Sequence, residues 1–288
     1  MTVACIFSID DSYVMPFQVF YHSLEDTRSI PLDVQIFILH SETLSNESIS
    51  KLHLFFQNYR RSAIFLDASS SIPTQLPIKD GDHVSKATFY RLFIADIVPP
   101  EYDKAVYFDS DMIALKCVAS LFTEEVHGLV GAVDHFDPKQ GLRLWGECGG
   151  SYFQAGVLVI PLTAWRDNHL SQQFLRTMAT EQERIQWWDQ DVLNLTLKDL
   201  WQPLSAWYNV CESSVRVLEI DQSDPNIAIV HFSGGRKPWS EYNPPSPFTP
   251  MWDTGFAAAF GRIFDRSVFL PRRRTRLKNH VLSFLKIS

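Results

Sequence analysis

Short apolar runs alternate with amphipathic helical patterns through the first third of the chain, and this alternation limits the possible folds more than any other feature. The predicted order is strand Val3 to Ile9, helix Val14 to Glu25, strand Val34 to Leu39, a helix around Ile49 to Phe56, strand Ala63 to Leu66, a helix from about Lys86 to Ile97, and strand Lys104 to Phe108. Alternating strands and helices favour a mostly parallel sheet with helices on both faces. The sequence therefore predicts an α/β fold.

The second part of the chain loses this rhythm. Further elements are predicted as strands at Leu129 to Val133, Tyr152 to Ile160 and Ile227 to Phe232, and as helices at Leu170 to Thr180 and Asp189 to Lys198. Five prolines between Pro238 and Pro250 predict an irregular segment. Because no linker or repeat divides the chain, residues 1–265 are predicted to form one domain around one continuous sheet.

The composition is typical of a globular intracellular protein. The chain has 288 residues, 45% of them hydrophobic, which is enough for a large packed core. Cys5, Cys117, Cys148 and Cys211 have no paired spacing, so neither a zinc site nor a disulfide framework is predicted. The sequence shows no basic leader and no apolar stretch of ~20 residues, and it therefore predicts a cytoplasmic protein that does not span a membrane.

The end of the sequence differs in charge from the rest. Seven basic residues and no acidic residue follow Asp265: Arg266, Arg272, Arg273, Arg274, Arg276, Lys278 and Lys286. Leu277, Val281, Phe284 and Leu285 would share one face of a helix beneath this basic cluster. The pattern favours a peripheral contact of residues 266–288 with an anionic surface, at the inner face of the cytoplasmic membrane. The alternative is a solvated helix that packs back on the domain.

Asp109-Ser110-Asp111 is the strongest functional motif. It follows the predicted buried strand, and carboxylates at i and i+2 of an extended segment point the same way. Such a pair suits a hard divalent cation, Mn²⁺ or Mg²⁺, and through it a diphosphate. The alternative is a phosphatase of the haloacid-dehalogenase kind. That class places its motif on the first strand and expects Thr or Val where Ile113 stands.

A second polar segment, Val230 to Trp239, supplies groups that complement these carboxylates. His231, at the end of a predicted strand, can be a nitrogen ligand to the same metal. Gly234 and Gly235 permit close approach of the backbone to a phosphate, and Lys237 can neutralise its charge. Each residue alone has a structural interpretation, as a core histidine, a turn or a surface lysine. Together they describe a metal-diphosphate site.

Some polar residues have two open interpretations. Asp10 and Asp11 end the first strand, at the edge where α/β sheets bind ligands. Asp10 can accept a hydrogen bond from a nucleobase, whereas a helix cap is the simpler role for Asp11. Arg91 either faces the site or forms a structural salt bridge.

The segment Trp187 to Asp191 is ambiguous in the same way. Asp189 and Asp191 either serve the site or only balance the dipole at the start of a helix. Gln190 between them is an amide and a poor nucleophile. The preceding indoles, Trp187 and Trp188, form either a sugar-stacking platform or part of the core.

Six ordered blocks resemble glycosyltransferase family 8, retaining enzymes of the GT-A fold that include bacterial lipopolysaccharide galactosyl- and glucosyltransferases. The blocks are Phe7-Ser8-Ile9-Asp10-Asp11-Ser12-Tyr13, Thr88-Phe89-Tyr90-Arg91-Leu92, Val106-Tyr107-Phe108-Asp109-Ser110-Asp111, Phe153-Gln154-Ala155-Gly156-Val157-Leu158, Trp188-Asp189-Gln190-Asp191-Val192-Leu193-Asn194, and His231-Phe232-Ser233-Gly234 through Lys237-Pro238-Trp239. They extend from about residue 3 to residue 240, so the resemblance is far more specific than Asp-x-Asp alone.

The resemblance implies a role for each matching residue. Asp109, Asp111 and His231 would bind Mn²⁺, with Mg²⁺ as the alternative. The donor-binding set would comprise Ser8, Asp10 and Tyr13 for uridine, Gly234 and Lys237 for the diphosphate, His83 near the phosphates, and Arg91 and Gln154 beside the donor sugar. Asp189 and Gln190 would be the catalytic pair, with Gln190 nearest the reacting face of the anomeric carbon.

The implied activity is retaining transfer of a hexose, galactose or glucose, from a UDP-sugar to a glycan or glycolipid acceptor in lipopolysaccharide core synthesis. A non-catalytic nucleotide-sugar or glycan-binding protein at the membrane is the alternative, which the intact metal-ligand set disfavours. Two residues depart from the family pattern. Gln154 replaces a usual Asn near the donor sugar, and Ser12 replaces a frequent Asn beside the nucleotide. No nucleic-acid partner is predicted.

Overall fold

The computed structural model describes residues 1–73, 76–78, 85–235, 237–240 and 246–266. The strands are β1 Val3–Ser8, β2 Gln35–His40, β3 Ala63–Asp67, β4 Lys104–Phe108, β5 Met112–Ala114, β6 Val130–Asp134, β7 Phe153–Pro161, β8 Trp201–Pro203 and β9 Ile229–His231. The α-helices are α1 Val14–Asp26, α2 Asn46–Gln57, α3 Ile94–Ile97, α4 Ser120–Thr123, α5 Pro138–Trp145, α6 Leu162–Asp167, α7 Leu170–Thr180, α8 Trp188–Thr196, α9 Glu212–Leu218 and α10 Thr249–Phe260. The predicted alternation of strands and helices in the first third of the chain is therefore confirmed.

A seven-stranded mixed sheet, in the order β3-β2-β1-β4-β7-β6-β8, forms the centre of the fold. β1 pairs in parallel with β2 and β4, and β2 pairs in parallel with β3. β7 pairs antiparallel with both β4 and β6, and β8 lies parallel to β6. The predicted mostly parallel central sheet is confirmed.

Side chains on successive residues of the central strands enter different core layers, which explains why helices cover both faces of the sheet. In β1, Ala4 and Ile6 belong to one buried layer, whereas Cys5 and Phe7 belong to the other. The first layer packs against α6, α7 and α8, and the second against α1 and α2. Because both faces are covered, every residue of β4 is buried.

The prediction of one continuous sheet is wrong for the last strand. β9 pairs antiparallel with β5 in a separate two-stranded sheet. Val230 and Ile113 of these strands pack in a third core cluster with Trp252 and Phe256 of α10. An apolar run in the sequence indicates a buried strand but does not indicate which strand is its neighbour.

Two helical segments also differ from the prediction. Lys86–Phe93 is a 3₁₀ helix that continues into α3, rather than one α-helix. α10 occupies part of the segment whose prolines predicted irregular structure. Pro250 lies in its first turn, where a helix tolerates proline because the first N–H groups have no partner within the helix.

Most of the predicted basic tail lies outside the described residues, which end at Arg266. The Arg266 guanidinium donates hydrogen bonds to both carboxylate oxygens of Asp253, at 2.7 and 3.0 Å, and to the Pro238 carbonyl at 2.7 Å. Within the described ranges, none of the helices has the length and apolar character needed to cross a membrane.

Candidate active site

A cavity of about 920 Å³ opens where β1 and β4 end. All but one of the residues that the sequence predicted for the site line this cavity. They are Ser8, Asp10, Tyr13, Arg91, Asp109, Asp111, Gln154, Asp189, Gln190, His231, Gly234 and Lys237. The exception, His83, lies outside the described residues. Residues from six distant segments therefore meet at one place.

The sheet brings the first two acidic segments together. β1 and β4 are adjacent parallel strands, so Asp10 and Asp109 leave the sheet at the same edge. The Ser110 hydroxyl donates to the Ser8 carbonyl at 3.1 Å and ties the two strand ends together. Open α/β sheets bind ligands at this edge, beyond the carboxyl ends of their strands.

Asp109 belongs to a charged network on one wall of the cavity. Arg91 donates to its carboxylate oxygens at 2.6 and 3.2 Å, and the Tyr107 hydroxyl donates at 2.9 Å. Arg91 also lies 4.7 Å from the Tyr107 ring centroid and donates to the Ala155 carbonyl at 2.6 Å. Arg91 therefore combines both of its possible placements, because it lines the cavity and forms a salt bridge.

Asp111 contacts two basic side chains. Lys237 donates to one of its oxygens, and His231 Nε2 lies 3.2 Å from the other. Burial opposes ionisation of all three groups, but their mutual attraction is stronger. As a result the pKa of Asp111 is lowered, and the pKa values of His231 and Lys237 are raised.

His231 completes a set of three donor groups that suits a divalent metal. β5 and β9 pair Met112 with His231, and His231 Nε2 lies 3.7 Å from an Asp109 oxygen. One donor atom from each of Asp109, Asp111 and His231 lies within 4.8 Å of the other two. Two carboxylates and an imidazole are ligands that Mn²⁺ accepts. These residues therefore fit the metal that the sequence predicted.

Three residues that received no role in the sequence analysis support the three candidate metal ligands. Asn209 is fully buried, with its Oδ1 2.8 Å from His231 Nδ1. Gly156 packs under the same ring, since a Cβ there would lie 2.5 Å from His231 Cε1. Tyr107 precedes Asp109 by two residues, and strand alternation predicts that both point the same way. No sequence signal marks Asn209.

Asp189 is buried behind Arg91. Its Oδ2 lies 2.9 Å from Arg91 Nε, although the N–H of that nitrogen is directed at the Thr88 carbonyl, 3.0 Å away. Burial raises the pKa of Asp189 to about 7, because Arg91 is shared with Asp109 and offsets only part of the desolvation cost. Asp189 is therefore a carboxyl group that titrates near neutral pH.

The side-chain amide of Gln190 is held at both ends. Its Oε1 accepts a hydrogen bond from the Ala155 N–H at 3.0 Å, and its Nε2 donates to the Tyr152 hydroxyl at 3.0 Å. Gln154 lines the cavity beside it and directs its Nε2 at the Asn209 carbonyl, 3.4 Å away. The orientation of Gln190 is thus fixed by the protein alone.

Asp191 has a structural role that differs from that of Asp189. It is fully buried and accepts hydrogen bonds from Arg143 at 2.5 and 3.0 Å and from the Tyr152 hydroxyl at 2.7 Å. The backbone N–H groups of Gln186 and Trp187 also donate to it, both at 2.7 Å. Asp191 therefore anchors the start of α8, as the helix-terminus interpretation predicted.

The helix cap expected of Asp11 belongs to Asp10. Asp10 Oδ1 accepts a hydrogen bond from the Ser12 N–H at 2.9 Å and caps the short 3₁₀ helix Asp11–Tyr13. Asp11 instead accepts from the Ser45 N–H at 2.9 Å, and this hydrogen bond lowers its pKa. The cap uses one oxygen of Asp10, while the residue still lines the cavity.

Aromatic and glycine residues shape the end of the cavity next to β1. The Tyr13 ring meets Trp239 edge to face, with centroids 6.1 Å apart, and Lys237 Nζ lies 5.9 Å from the Tyr13 ring centroid. Burial raises the pKa of Tyr13 to about 12, so its hydroxyl stays protonated. Gly234 has φ +76°, a conformation that glycine adopts without strain.

This fold and its acidic site define a class, the GT-A glycosyltransferases. The chain belongs to glycosyl transferase family 8, whose model matches residues 4–243. An active-site mutant of LgtC has the same fold, with a TM-score of 0.77 and 19% identity over 90% of this chain and 97% of LgtC. LgtC is a galactosyltransferase that has also been solved in complex with donor and acceptor sugar analogues.

Two bacterial relatives are longer than this chain. GlyF, a glycosyltransferase of Streptococcus pneumoniae, is 24% identical over 271 residues, which cover 84% of this chain and 58% of GlyF. The lipopolysaccharide 1,2-glucosyltransferase of Escherichia coli is 27% identical over 171 residues, which cover 55% of this chain and 50% of that enzyme. The chain thus spans between half and two thirds of the length of these relatives.

Proposed function

We propose that this chain transfers a hexose, galactose or glucose, from a UDP-sugar to a saccharide acceptor with retention of anomeric configuration. The observation that carries the proposal is the single cavity in which two carboxylates, an imidazole and Lys237 converge beside Asp189 and Gln190. The fold supports a nucleotide site at the carboxyl ends of β1 and β4. Similarity to a lipopolysaccharide glucosyltransferase supports a lipopolysaccharide core acceptor.

Asp109, Asp111 and His231 would hold Mn²⁺, or Mg²⁺ in its place, against the donor diphosphate. A metal bound there would offset the negative charge that develops on the departing UDP. Lys237 adds a fixed cation on the same side of the cavity, and Gly234 allows the phosphates to approach the backbone closely. Charge on the leaving group is then balanced without a protein acid.

Ser8, Asp10 and Tyr13 would bind uridine at the end of the cavity formed by β1. Arg91 and Gln154 would contact the donor sugar. Gln154 is longer by one methylene than the Asn usual in the family, so it would leave less room for the donor sugar and would influence which hexose is accepted.

Retention is explained by attack of the acceptor hydroxyl on the face from which UDP leaves. The bond from the anomeric carbon to the phosphate oxygen breaks, the acceptor oxygen forms the new bond, and its proton passes to the departing phosphate. Asp189 and Gln190 would stabilise the oxocarbenium-like centre from the other side. The fixed amide of Gln190 supports a positioning role, since both of its ends are engaged by the protein.

Release of UDP tests the proposed activity. The protein is incubated with Mn²⁺ and a panel of UDP-sugars, with and without saccharide acceptors, and free UDP is measured. We expect release from UDP-galactose or UDP-glucose and faster release with acceptor. If no UDP-sugar is cleaved with any glycan, the protein is a binding protein rather than an enzyme.

Two variants distinguish front-face attack from double displacement. Front-face attack predicts that neither the Asp189→Asn nor the Gln190→Glu variant accumulates a covalent adduct, as measured by mass spectrometry of the intact protein. A loss of turnover in the Asp189→Asn variant, together with a trapped glycosyl-enzyme in the Gln190→Glu variant, would instead establish double displacement.

A further inference from the structure

The two adjacent indoles that precede Asp189 differ in burial. Both line the cavity, but Trp188 is partly buried against the main core, whereas Trp187 is 42% exposed. None of the donor-binding roles above uses Trp187. We propose that Trp187 is a stacking platform for a pyranose ring of the acceptor. This inference rests on the proposed hexosyltransferase function and specifies the chemical class of its acceptor.

Two hydrogen bonds hold Trp187 in place although its ring is exposed. Its backbone N–H donates to the buried Asp191 carboxylate at 2.7 Å, and its indole Nε1–H donates to Gln140 Oε1 at 3.1 Å. The next residue, Trp188, has φ +44°, a left-handed conformation that is strained for a bulky side chain. Because the ring is already ordered, a ligand that stacks on it loses little further conformational entropy.

Two polar residues of the same cavity have unused hydrogen-bonding capacity, and one of them, Gln140, contacts the Trp187 ring. Gln140 Oε1 accepts hydrogen bonds from Trp187 and from Arg143, and its amide nitrogen has no hydrogen-bond partner among the described residues. Asp137 caps α5 through Oδ1, 3.0 Å from the Lys139 N–H. In the same described ranges, Asp137 Oδ2 has no hydrogen-bond partner. Both residues line the cavity.

This combination matches the chemistry of a sugar ring. A pyranose presents C–H groups on one face and hydroxyl groups around its edge, so it needs an apolar surface bordered by hydrogen-bonding groups. Trp187 supplies the surface, Gln140 a donor and Asp137 an acceptor. Trp187 precedes Asp189 by two residues, on the wall that also holds Gln190. The platform therefore borders the sugar end of the cavity, where an acceptor must lie.

Binding and kinetics of two defined probes test the platform. The probes are methyl β-D-galactopyranoside and methyl β-D-glucopyranoside, and the variants are Trp187→Ala and Trp187→Phe. Saturation-transfer NMR with UDP and Mg²⁺ should show contact between the protein and the C–H groups of at least one probe. We expect Trp187→Ala to lose this signal and to raise the acceptor KM about tenfold, while Trp187→Phe keeps both within about threefold.

Leu142→Ala is the matched control, because Leu142 is an exposed apolar residue of α5 that does not line the cavity. It should change neither the NMR signal nor the acceptor KM. The platform is contradicted if Trp187→Ala binds the probes as the wild type does, or if neither pyranoside contacts the wild-type protein. If the wild type cleaves no UDP-sugar, the result counts against the enzymatic function. The NMR measurement does not depend on that function, so it tests the platform separately.

Discussion

At the scale of single residues, the His231 ring is positioned by residues other than the three candidate metal ligands. Asn209 Oδ1 is 2.8 Å from Nδ1, and an amide oxygen there keeps a proton on Nδ1 and leaves Nε2 free to bind a metal. Gly156 leaves room for the ring, because any larger residue would overlap it. The metal-binding geometry therefore depends on a glycine of β7 and a buried amide.

Gly156→Ala should displace the His231 ring and weaken Mn²⁺ binding about 10- to 100-fold, since the new methyl group would lie 2.5 Å from Cε1. Calorimetric titration of Mn²⁺ in the presence of UDP measures this affinity. Gly131→Ala is the control, because its Cβ would crowd Val126, with 3.1 Å to Cγ2, in a strand away from the site. Equal affinities in the two variants would show that the ring is not held by Gly156.

Asp189 should govern the pH dependence of the free enzyme near neutrality. Its pKa of about 7 means that kcat/KM for the donor rises as the pH rises through 7, because the carboxylate is the form that stabilises a developing positive charge. The Asp189→Asn variant should not show this rise. At higher pH its kcat should be about 100-fold lower than that of the wild type. A pH profile of the variant with the same rise would assign it to another group.

The raised pKa of Asp189 also predicts that the protein becomes less stable as the pH rises, over the range in which kcat/KM increases. A carboxyl group whose pKa is raised by folding binds its proton more tightly in the folded state. The free energy of unfolding should therefore carry a contribution from Asp189 that is full below its ordinary pKa of 3.8 and is lost as the pH rises to about 7. Urea unfolding at several pH values should show this loss in the wild type and not in Asp189→Asn.

At the scale of elements, the central strands were predictable because their pattern is local. The continuous apolar runs of β1 and β4 indicate strands whose side chains enter a buried layer on each face of the sheet, as the structure shows. The pairing of β9 with β5 was not predictable, since each strand has three residues and no periodicity that indicates a partner. The proline interpretation was wrong only for Thr249 and Pro250, because the first helical turn accepts proline, and no element was predicted for the rest of α10.

Asp191 links α8 to α5, and breaking this link should destabilise the protein. Asp191→Ala would leave Arg143 without its buried partner and should lower the free energy of unfolding by about 3 kcal/mol. Urea denaturation followed by circular dichroism measures the change. Glu47→Ala is the control, because the Glu47–Lys51 pair is exposed on both sides and should contribute nothing measurable. Similar losses in both variants would contradict the structural role of Asp191.

At the scale of the whole molecule, the candidate site is built from segments that only the complete fold brings together. All the predicted site residues except His83 line the cavity, and each of these lies in a block that resembles the family. The role of Asn209 and the different burial of Trp187 and Trp188 were not predictable, since both depend on packing between distant elements. Local motifs thus indicate which residues serve a site, whereas their supports and orientation emerge from tertiary contacts.

The proposed division into a domain of residues 1–265 and a basic tail predicts that the tail acts at a membrane. Arg266 already contacts Asp253 and Pro238, so the truncation should remove residues 267–288 and keep Arg266. We expect loss of sedimentation with anionic liposomes and unchanged transfer to a water-soluble acceptor. Liposomes of neutral lipid are the control. Retained binding by the truncated protein would show that the tail is not the membrane contact.

The metal dependence of UDP release tests the central claim most directly. UDP release from the accepted UDP-sugar is measured in EDTA and then at increasing Mn²⁺, for the wild type and for Asp111→Asn. The account predicts that EDTA abolishes release, that Mn²⁺ restores it in the wild type, and that Asp111→Asn lowers it at least about 100-fold at saturating Mn²⁺. Full release in EDTA, or an Asp111→Asn variant as active as the wild type, would contradict a metal-assisted transferase at this site.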